Sequence, residues 1–600
     1  MAGIRGRIGW FLVWAIVYCD IGTSVYYTPG ILYSSTKDLA GVFVALTLVA
    51  FLLLCQKEVE VSRRFVEGGG VVTVAAHAFS PVWGCIGGQL IVVDYLLTAA
   101  ISATSGIYYI DSAFPLHGHI VFVTVSILVF LGLLNIVGIR ESAILSAVLA
   151  TAAFVVDLLV IGTALWNAPA SVLARIPAQF AQLTHLPLKD ALFGYAGAWL
   201  AFSGLESLSQ ISPAMRDTNR TPARGMLAVV FTVLLTSPIL TCLATASLPD
   251  SVKARESERF ISELGKVWGG HGLQIAVVLT ASALLLFAAN TAVIGNYHVQ
   301  IALTRLKYLP GWLSARSFRF GTPHWAIVLS VALPALIVIV VNGNMQILGD
   351  MYAFGLLGAF SLKSLGLDVI RWREGQRNLW FWLGVLATAM VSVAFSINLV
   401  TKPLATVFGG LVAGTGLLVG LAVRNGWWDR LFARIPGIAE PGVGPGLMDL
   451  PFTHLGDAVG KPGSMPSCSV LIALRGLNQQ VLDEARLQLK TLGQNAAYLI
   501  YVDEIPGMFF PQTASPTPEG LTVLKASRDA LESHGIKVHL LWDCSHSAAE
   551  SVAEASTTLK IDVVIVGASR RSAFWALLRG RFIRDLLARL PPEIRLMVVS

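Results

Sequence analysis

WFLVWAIVYCDIGTSVYYTPGILY, residues Trp10–Tyr33, decides the fold. The stretch exceeds the roughly 20 residues that an apolar helix needs to cross a bilayer, yet it holds a carboxylate, Asp20, and a helix-loosening run, Ile21–Ser24, near its centre. An aspartate at the centre of a spanning helix costs roughly 2.5–3.5 kcal/mol on insertion scales. Irregular backbone at that depth survives only where it lines a cavity or is buried in protein. The stretch therefore predicts a discontinuous helix that forms half of an ion site; the competing reading is a kink in which Asp20 caps the second half-helix.

The rest of the chain has the same character. Of 600 residues, 55% are hydrophobic and 13% charged, and the mean hydropathy is +0.69. That composition excludes an ordinary soluble enzyme, and no enzymatic activity is expected. The net charge of +7 is carried largely in short connections between apolar segments, a membrane-topology signal that argues against a nucleic-acid partner. The lipid bilayer is the expected partner. Six scattered cysteines show neither metal spacing nor a disulfide framework. Arg5 and Arg7 precede the first apolar span, which lacks a small-residue cleavage site and reads as a retained helix.

About twelve segments are long enough to span, near 8–34, 39–56, 84–110, 118–137, 143–165, 190–211, 225–246, 271–297, 324–342, 345–367, 378–398 and 404–423. Alternate connections hold Arg63 and Arg64, Arg140, Arg216, Arg220 and Arg224, Arg305 and Lys307, then Arg371, Arg373 and Arg377. This set, with both termini, is expected to be cytoplasmic in a multi-pass plasma-membrane protein. The seventh-to-eighth connection also holds Lys253, Arg255, Arg259 and Lys266, but accompanied by acids, and reads as an outer loop.

The transmembrane domain is assigned to 1–426 and a Gly/Pro-rich linker, containing IPGIAEPGVGPG, to 427–464. Beyond it, β-branched runs (SVLIALRG, AAYLIYVDE, KVHLLWD, DVVIVGAS, RLMVVS) alternate with amphipathic helical patterns. That alternation predicts a cytosolic α/β domain with a parallel sheet over 465–600. The fold class is thus an all-α polytopic membrane protein followed by an α/β parallel-sheet domain.

Four clusters in the apolar part carry chemistry. The first is Asp20 with Gly22, Thr23, Ser24, Tyr26 and Tyr27, where unwinding would free carbonyl oxygens for an ion. In the second, LIVVDYLLTAAISATSG, Asp94 and Thr98 share a helix face. The third, AFSGLESLSQ, sets Ser203 and Glu206 around a glycine, and the fourth, LGDMYAFG, offers Tyr352 as a hydroxyl or a gate. Buried carboxylates without buried cations cannot all stay ionised, so this set must hold cations, protons or both. Asp157 and Asp350 are further intramembrane acids outside the trio.

Together these clusters resemble the amino acid, polyamine and organocation superfamily, and within it the KUP and KimA-like potassium importers. DIGTS at Asp20–Ser24 resembles the KUP first-helix signature GDIGTSP, and SVYY at Ser24–Tyr27 is similar to the KimA-like DxLSSVAY. EGGGVV (Glu67–Val72) and DYLLTAAIS (Asp94–Ser102) are also KimA-like; SGLES (Ser203–Ser207) resembles TGIEA, and MYAFG (Met351–Gly355) resembles LYAIG. The resemblance implies a LeuT-like inverted repeat with a midplane site. It assigns Asp20, Thr23, Tyr27, Asp94, Tyr95, Thr98, Ser203 and Tyr352 to the potassium path, with K⁺ held at Asp20, Asp94, Thr98 and Ser203, and Glu206 and Asp20 as proton carriers. Cys19 and Val25 stand where KUP has Gly and Pro, and Ser203 replaces a threonine, so no oxygen ligand is lost. AFSGLESLSQ followed by DTNRTPARG resembles ordinary amino-acid permeases as well.

The C-terminal part resembles universal stress proteins. Gly567 and Gly580 keep the spacing of their nucleotide loop, but Arg570 and Arg581 replace its middle glycine and hydroxyl, and Arg475 stands where an aspartate is usual. ATP binding does not follow, although Gly567, Arg570 and Gly580 would suit a regulatory anion or nucleotide; no other cofactor is expected. The resemblance implies a homodimer through this domain. The expected function is K⁺/H⁺ symport by alternating access. The alternatives are a proton-coupled amino-acid or amine permease and a membrane sensor without net transport.

Overall fold

A computed structural model describes residues 8–66, 68, 70–138, 143–315, 322–432, 450–460, 462–504, 516, 518–545, 547–568 and 582–599. They fall into a helical unit and an α/β unit, each described by itself.

The helical unit follows the apolar pattern closely. Its first span is broken, Trp10–Ile21 then Ser24–Thr36; the second to fifth are Ala40–Arg64, Pro81–Ala113, Ile120–Val137 and Ala143–Asn167. The sixth, Leu188–Ala198, tightens into a 3₁₀ turn, Trp199–Phe202, and resumes only at Ser207–Gln210. Then come Thr221–Ser247, Phe260–Arg305 (kinked at Gly270, φ 77°), His324–Val340, Met345–Arg373, Leu379–Thr401 and Pro403–Arg424. Nine helical stretches among the described residues are long and apolar enough to cross a membrane, the first of them, Trp10–Arg64, containing two passes. The ninth span is shorter, and the interruption of the sixth keeps it below that length.

Burial separates scaffold from periphery. The third span is buried over nearly its whole length, whereas Phe122, Val340, Val400 and Leu411 on later spans are exposed. Apolar side chains facing outward are what a lipid-facing surface requires. The third span packs along the eighth and tenth, and glycines allow the approach: a Cβ on Gly355 would lie 2.6 Å from the Asp94 amide nitrogen, and one on Gly295 2.7 Å from the Tyr95 ring.

Two differences from the sequence expectation matter. The second and tenth helices run on to Arg64 and Arg373, past the expected ends at 56 and 367, so their last turns bring buried charges together. A short helix, Gly70–Ala78, packs on the third and tenth spans where a plain connection was expected. The outer loop is partly helical, and two of its cations are paired: Lys253 with Asp38 and Asp250, each at 2.9 Å, and Arg259 with Asp111 at 2.7 Å and with Glu256.

The α/β unit contains strands β1 (Phe452–His454), β2 (Val470–Leu474), β3 (Ala496–Glu504), β4 (Lys537–Ser545), β5 (Val563–Gly567) and β6 (Arg595–Val599). All pair in parallel, in the order β1-β4-β3-β2-β5-β6. Alternate residues of β2 feed two separate cores, Val470, Ile472 and Leu474 on one face and Leu471 on the other. Helices Gln479–Thr491 and Pro518–Glu532 cover the first face, and Ala548–Thr558 and Phe582–Leu587 the second. Five strands were expected; β1 lies inside the stretch read as linker (427–464), and Leu450 joins the core with it. Three residues with no alternating pattern leave no sequence signal, and pairing with β4 alone makes them a strand.

Candidate ion site

The two interrupted spans meet. Gly22 and Thr23 keep near-helical dihedrals, so the first break is a tight turn rather than the unwound loop expected: Gly22 N–H donates to Tyr18 O (2.8 Å), Thr23 N–H to Asp20 O (3.2 Å) and Val25 N–H to Gly22 O (3.3 Å). Thr23 Oγ1 also donates to Asp20 O at 2.6 Å, and Ser24 Oγ donates to Ile21 O at 2.6 Å and Ala201 O at 2.7 Å. Side-chain hydroxyls thus take much of the carbonyl capacity that unwinding would have freed. The sixth span is the one that unwinds. Ser203 is extended, and Gly204 adopts φ 96°, a conformation that favours glycine. A Cβ there would lie 2.7 Å from Asp20 Cγ, so only glycine lets the two breaks touch.

The side chains assigned to the site divide into two groups. Around the first break, Ser207 Oγ donates to Asp20 Oδ2, and Tyr27 and Ser203 share a 3.0 Å hydroxyl–hydroxyl bond. Around the third span, Thr98 Oγ1 donates to Asp94 O at 2.9 Å and meets Tyr352 Oη at 3.0 Å, while Gln210 Nε2 donates to Tyr95 Oη. Thr23, Tyr27, Asp94, Tyr95, Thr98, Ser203, Glu206 and Tyr352 are all buried, and Asp20 is half-buried. Among the described residues neither oxygen of Asp94 has a partner at hydrogen-bond distance, nor does Glu206 Oε2. Glu206 and Tyr352 lie close enough to Asp94 to interact with it, and the charges of Asp20 and Asp94 both act on Tyr27. Tyr27 therefore links the groups. Among the described residues no three His, Cys, Asp or Glu side chains converge as a metal chelate, so an ion shared between Asp20 and Asp94 would draw its remaining ligands from hydroxyls.

Sequence reading missed the partners. Ser207 and Gln210 lie inside the quoted AFSGLESLSQ stretch, and their helical offset from Ser203 was the available signal. The buried cations were also missed. Lys363 pairs with Glu58, Lys57 with Asp368 at 2.7 Å, and Arg371 with Glu60; Lys57 Nζ further donates to Thr388 Oγ1 at 2.6 Å and Ser364 O at 3.0 Å. Lys363 is near enough for its charge to act on Asp94 and Glu206. The expectation of no matching buried cation is corrected to that extent: a buried lysine exists, but a different carboxylate holds it. Asp350 pairs with Lys402 at 3.0 Å.

In the α/β unit, Gly567 ends β5 beside β2, where the strand order reverses and doubly wound sheets place ligands. Arg475 is exposed after β2. Arg570 and Gly580, with Arg571, Arg579 and Arg581, lie outside the described residues. Burial pushes the Asp543 carboxyl on β4 above the usual aspartate value, and His454 Nε2 stands 3.9 Å from its Oδ1.

Residues 8–420 match the family model described as amino acid permease. The chain is 27% identical over 372 residues to the potassium transporter KimA of Bacillus subtilis, covering 59% of each chain. It is 23% identical to an uncharacterized transporter of Rhizobium meliloti (50% of this chain, 64% of that one) and 24% identical to one of Mycobacterium bovis (63% and 82%). The chain thus spans about three-fifths of the length of the first two relatives. A universal stress protein from Archaeoglobus fulgidus aligns at 15% identity over 22% of this chain and 97% of that one, with a TM-score of 0.18; the α/β assignment here rests on the sheet order itself. With many apolar helices among the described residues and a family match across the helical unit, the chain belongs to the amino acid permease family and is a multi-pass membrane protein.

Proposed function

We propose that the chain is a secondary-active potassium importer of the plasma membrane, working as a K⁺/H⁺ symporter by alternating access, with both termini cytoplasmic. The observation that carries this is Asp94: a fully buried carboxylate, neither oxygen having a partner at hydrogen-bond distance among the described residues, beside Glu206, Thr98 and Tyr352. A carboxylate so placed is stabilised by a cation or a proton. K⁺ would exchange its hydration shell for hydroxyl and carboxylate oxygens of Asp20, Tyr27, Asp94, Thr98, Ser203 and Tyr352, and Glu206 would carry the proton. Interruptions in the first and sixth spans, five passes apart, support an inverted repeat of the LeuT type. Dimerisation through the α/β unit and an anion regulator at Gly567, Arg570 and Gly580 belong to the same proposal.

A second reading, an amino-acid or amine permease, is favoured by the family match. Against it, recognition of a substrate carboxylate calls for free backbone N–H groups at the first break. Those of Gly22, Thr23, Val25 and Tyr26 are already engaged, and Asp20 would repel the anion. Rubidium influx into proteoliposomes, competed by K⁺ and not by labelled amino acids, supports the potassium reading; amino-acid uptake without rubidium flux overturns it.

A further inference from the structure

One intramembrane acid belongs to neither the central cluster nor an ion pair. Asp157, midway along the fifth span, is fully buried, and its Oδ2 has no partner at hydrogen-bond distance among the described residues. Oδ1 accepts from Tyr26 Oη at 3.2 Å. The Tyr18 hydroxyl, itself buried and without a partner at hydrogen-bond distance, interacts with both Asp157 and Thr236. Thr236 Oγ1 already donates to Thr232 O at 2.9 Å, which leaves it to accept. On the other side, Tyr109 Oη donates to the Tyr26 carbonyl at 2.9 Å.

The groups facing this carboxylate are therefore tyrosines, with Thr236 beyond Tyr18. The first span supplies Tyr18 and Tyr26, with Cys19 bonded away to Ser146 O at 3.3 Å; the third supplies Tyr109 and the seventh Thr236. The eighth span packs along the fifth without placing a titratable group that acts on Asp157. No Lys or Arg pairs with it among the described residues. A lone ionised carboxylate in such surroundings is strongly disfavoured. A bound metal ion would need five or six oxygens, and two carboxylate oxygens with two tyrosine hydroxyls fall short. A proton needs only Oδ2. The protonated carboxyl then donates to Tyr18 Oη, and Tyr18 donates onward to Thr236, so a single proton satisfies both orphaned groups.

We propose that Asp157 is a second proton-binding site, distinct from Glu206, that is coupled to the central site through the second half-helix of the first span. Tyr26 and Tyr27 are neighbours about 100° apart on that helix, so one bonds Asp157 while the other bonds Ser203. Loading forms one O–H bond at Oδ2 and release breaks it, with no other reactant. Release leaves a carboxylate that must draw both tyrosine hydroxyls toward itself, and this moves the half-helix that carries Tyr27.

The coupling to transport rests on the potassium reading, whereas protonation of Asp157 does not, and the test separates them. Full-length protein in liposomes is assayed for rubidium entry with an internal pH-sensitive dye, and by infrared difference spectroscopy for a protonated-carboxyl stretch. In Asp157→Asn, with Glu206 still in place, rubidium entry is expected to respond less to an inward acid gradient and to carry a smaller proton signal than wild type, and the carboxyl stretch belonging to Asp157 disappears. Proton movement and gradient dependence equal to wild type overturn the proposal. Wild type lacking rubidium flux but showing the Asp157 stretch overturns the potassium reading alone; a wild-type spectrum without that stretch overturns this one. Should Asp157→Asn fail to fold, Tyr26→Phe removes the Oδ1 donor while keeping the ring. A shifted stretch and an altered pH profile support the assignment; an unchanged stretch and profile overturn it.

Discussion

Two sets of buried carboxylates lie in the helical unit, and they are handled in opposite ways. Where the second and tenth spans meet, Glu58, Glu60 and Asp368 each hold a cation, with Lys363, Arg371 and Lys57 in register, and Thr388 donates to Asp368 Oδ2 at 2.5 Å. At the centre, Asp94 and Glu206 have comparable burial but no ion-pair partner among the described residues, and Asp20 has only the Ser207 hydroxyl. A carboxylate with a fixed partner is part of the scaffold, because removing either member strands a charge in low dielectric. A carboxylate without one depends on a mobile partner, and that dependence is what a transport site requires.

The sharpest way to break this contrast is Asp94→Asn. Transport should fall to background in rubidium influx, while the unfolding midpoint in detergent stays level or rises, because an unpaired buried acid is removed. Loss of fold with loss of flux would place Asp94 among the scaffold acids. Gly204→Ala should come next, since its positive φ and the 2.7 Å approach to Asp20 leave no room for a methyl; the two breaks separate and influx drops severely.

On the paired side, Glu58→Gln alone should destabilise by about 3–5 kcal/mol, as removal of one partner of a buried pair does. The double variant Glu58→Gln with Lys363→Met should recover most of that loss, as read by thermal unfolding of both proteins. Ser207→Ala should weaken apparent affinity for rubidium about tenfold, corresponding to roughly 1.5 kcal/mol for a hydrogen bond to a charged group, with maximal rate little changed.

The smallest effect lies in the α/β unit, where Asp543 offers the same contrast in water. Its carboxyl is raised by burial, so the folded state binds the proton more tightly than the unfolded state. Stability from this group is full below the unfolded aspartate value and is lost as pH rises through the folded one. Asp543→Asn should flatten that pH dependence in the unfolding of the α/β unit and raise its midpoint slightly at neutral pH.

The legible part was whatever local pattern writes. The apolar runs marked the long helices, nine stretches of which among the described residues are long and apolar enough to cross a membrane, and the two glycine-containing interruptions marked the two breaks. Alternating β-branched runs marked five of the six strands; the sixth, Phe452–His454, is too short to carry a period. The charge ladder was hidden for another reason. Lys57, Glu58 and Asp368 sit just beyond the apolar runs, where a solvated helix end is the ordinary expectation, and only continuation of both helices buries them.

Sequence alone determined that acids lie within apolar spans, since the energetic cost of a charge in hydrocarbon is independent of what packs around it. It also determined the order of the spans and the parallel character of the terminal sheet. Tertiary structure decided which acids have partners. Asp350 reaches Lys402, Glu58 reaches Lys363, and Asp94, Glu206 and Asp157 reach no cation at ion-pair distance among the described residues. Partnership over hundreds of residues depends on where helices cross, and no local pattern encodes a crossing.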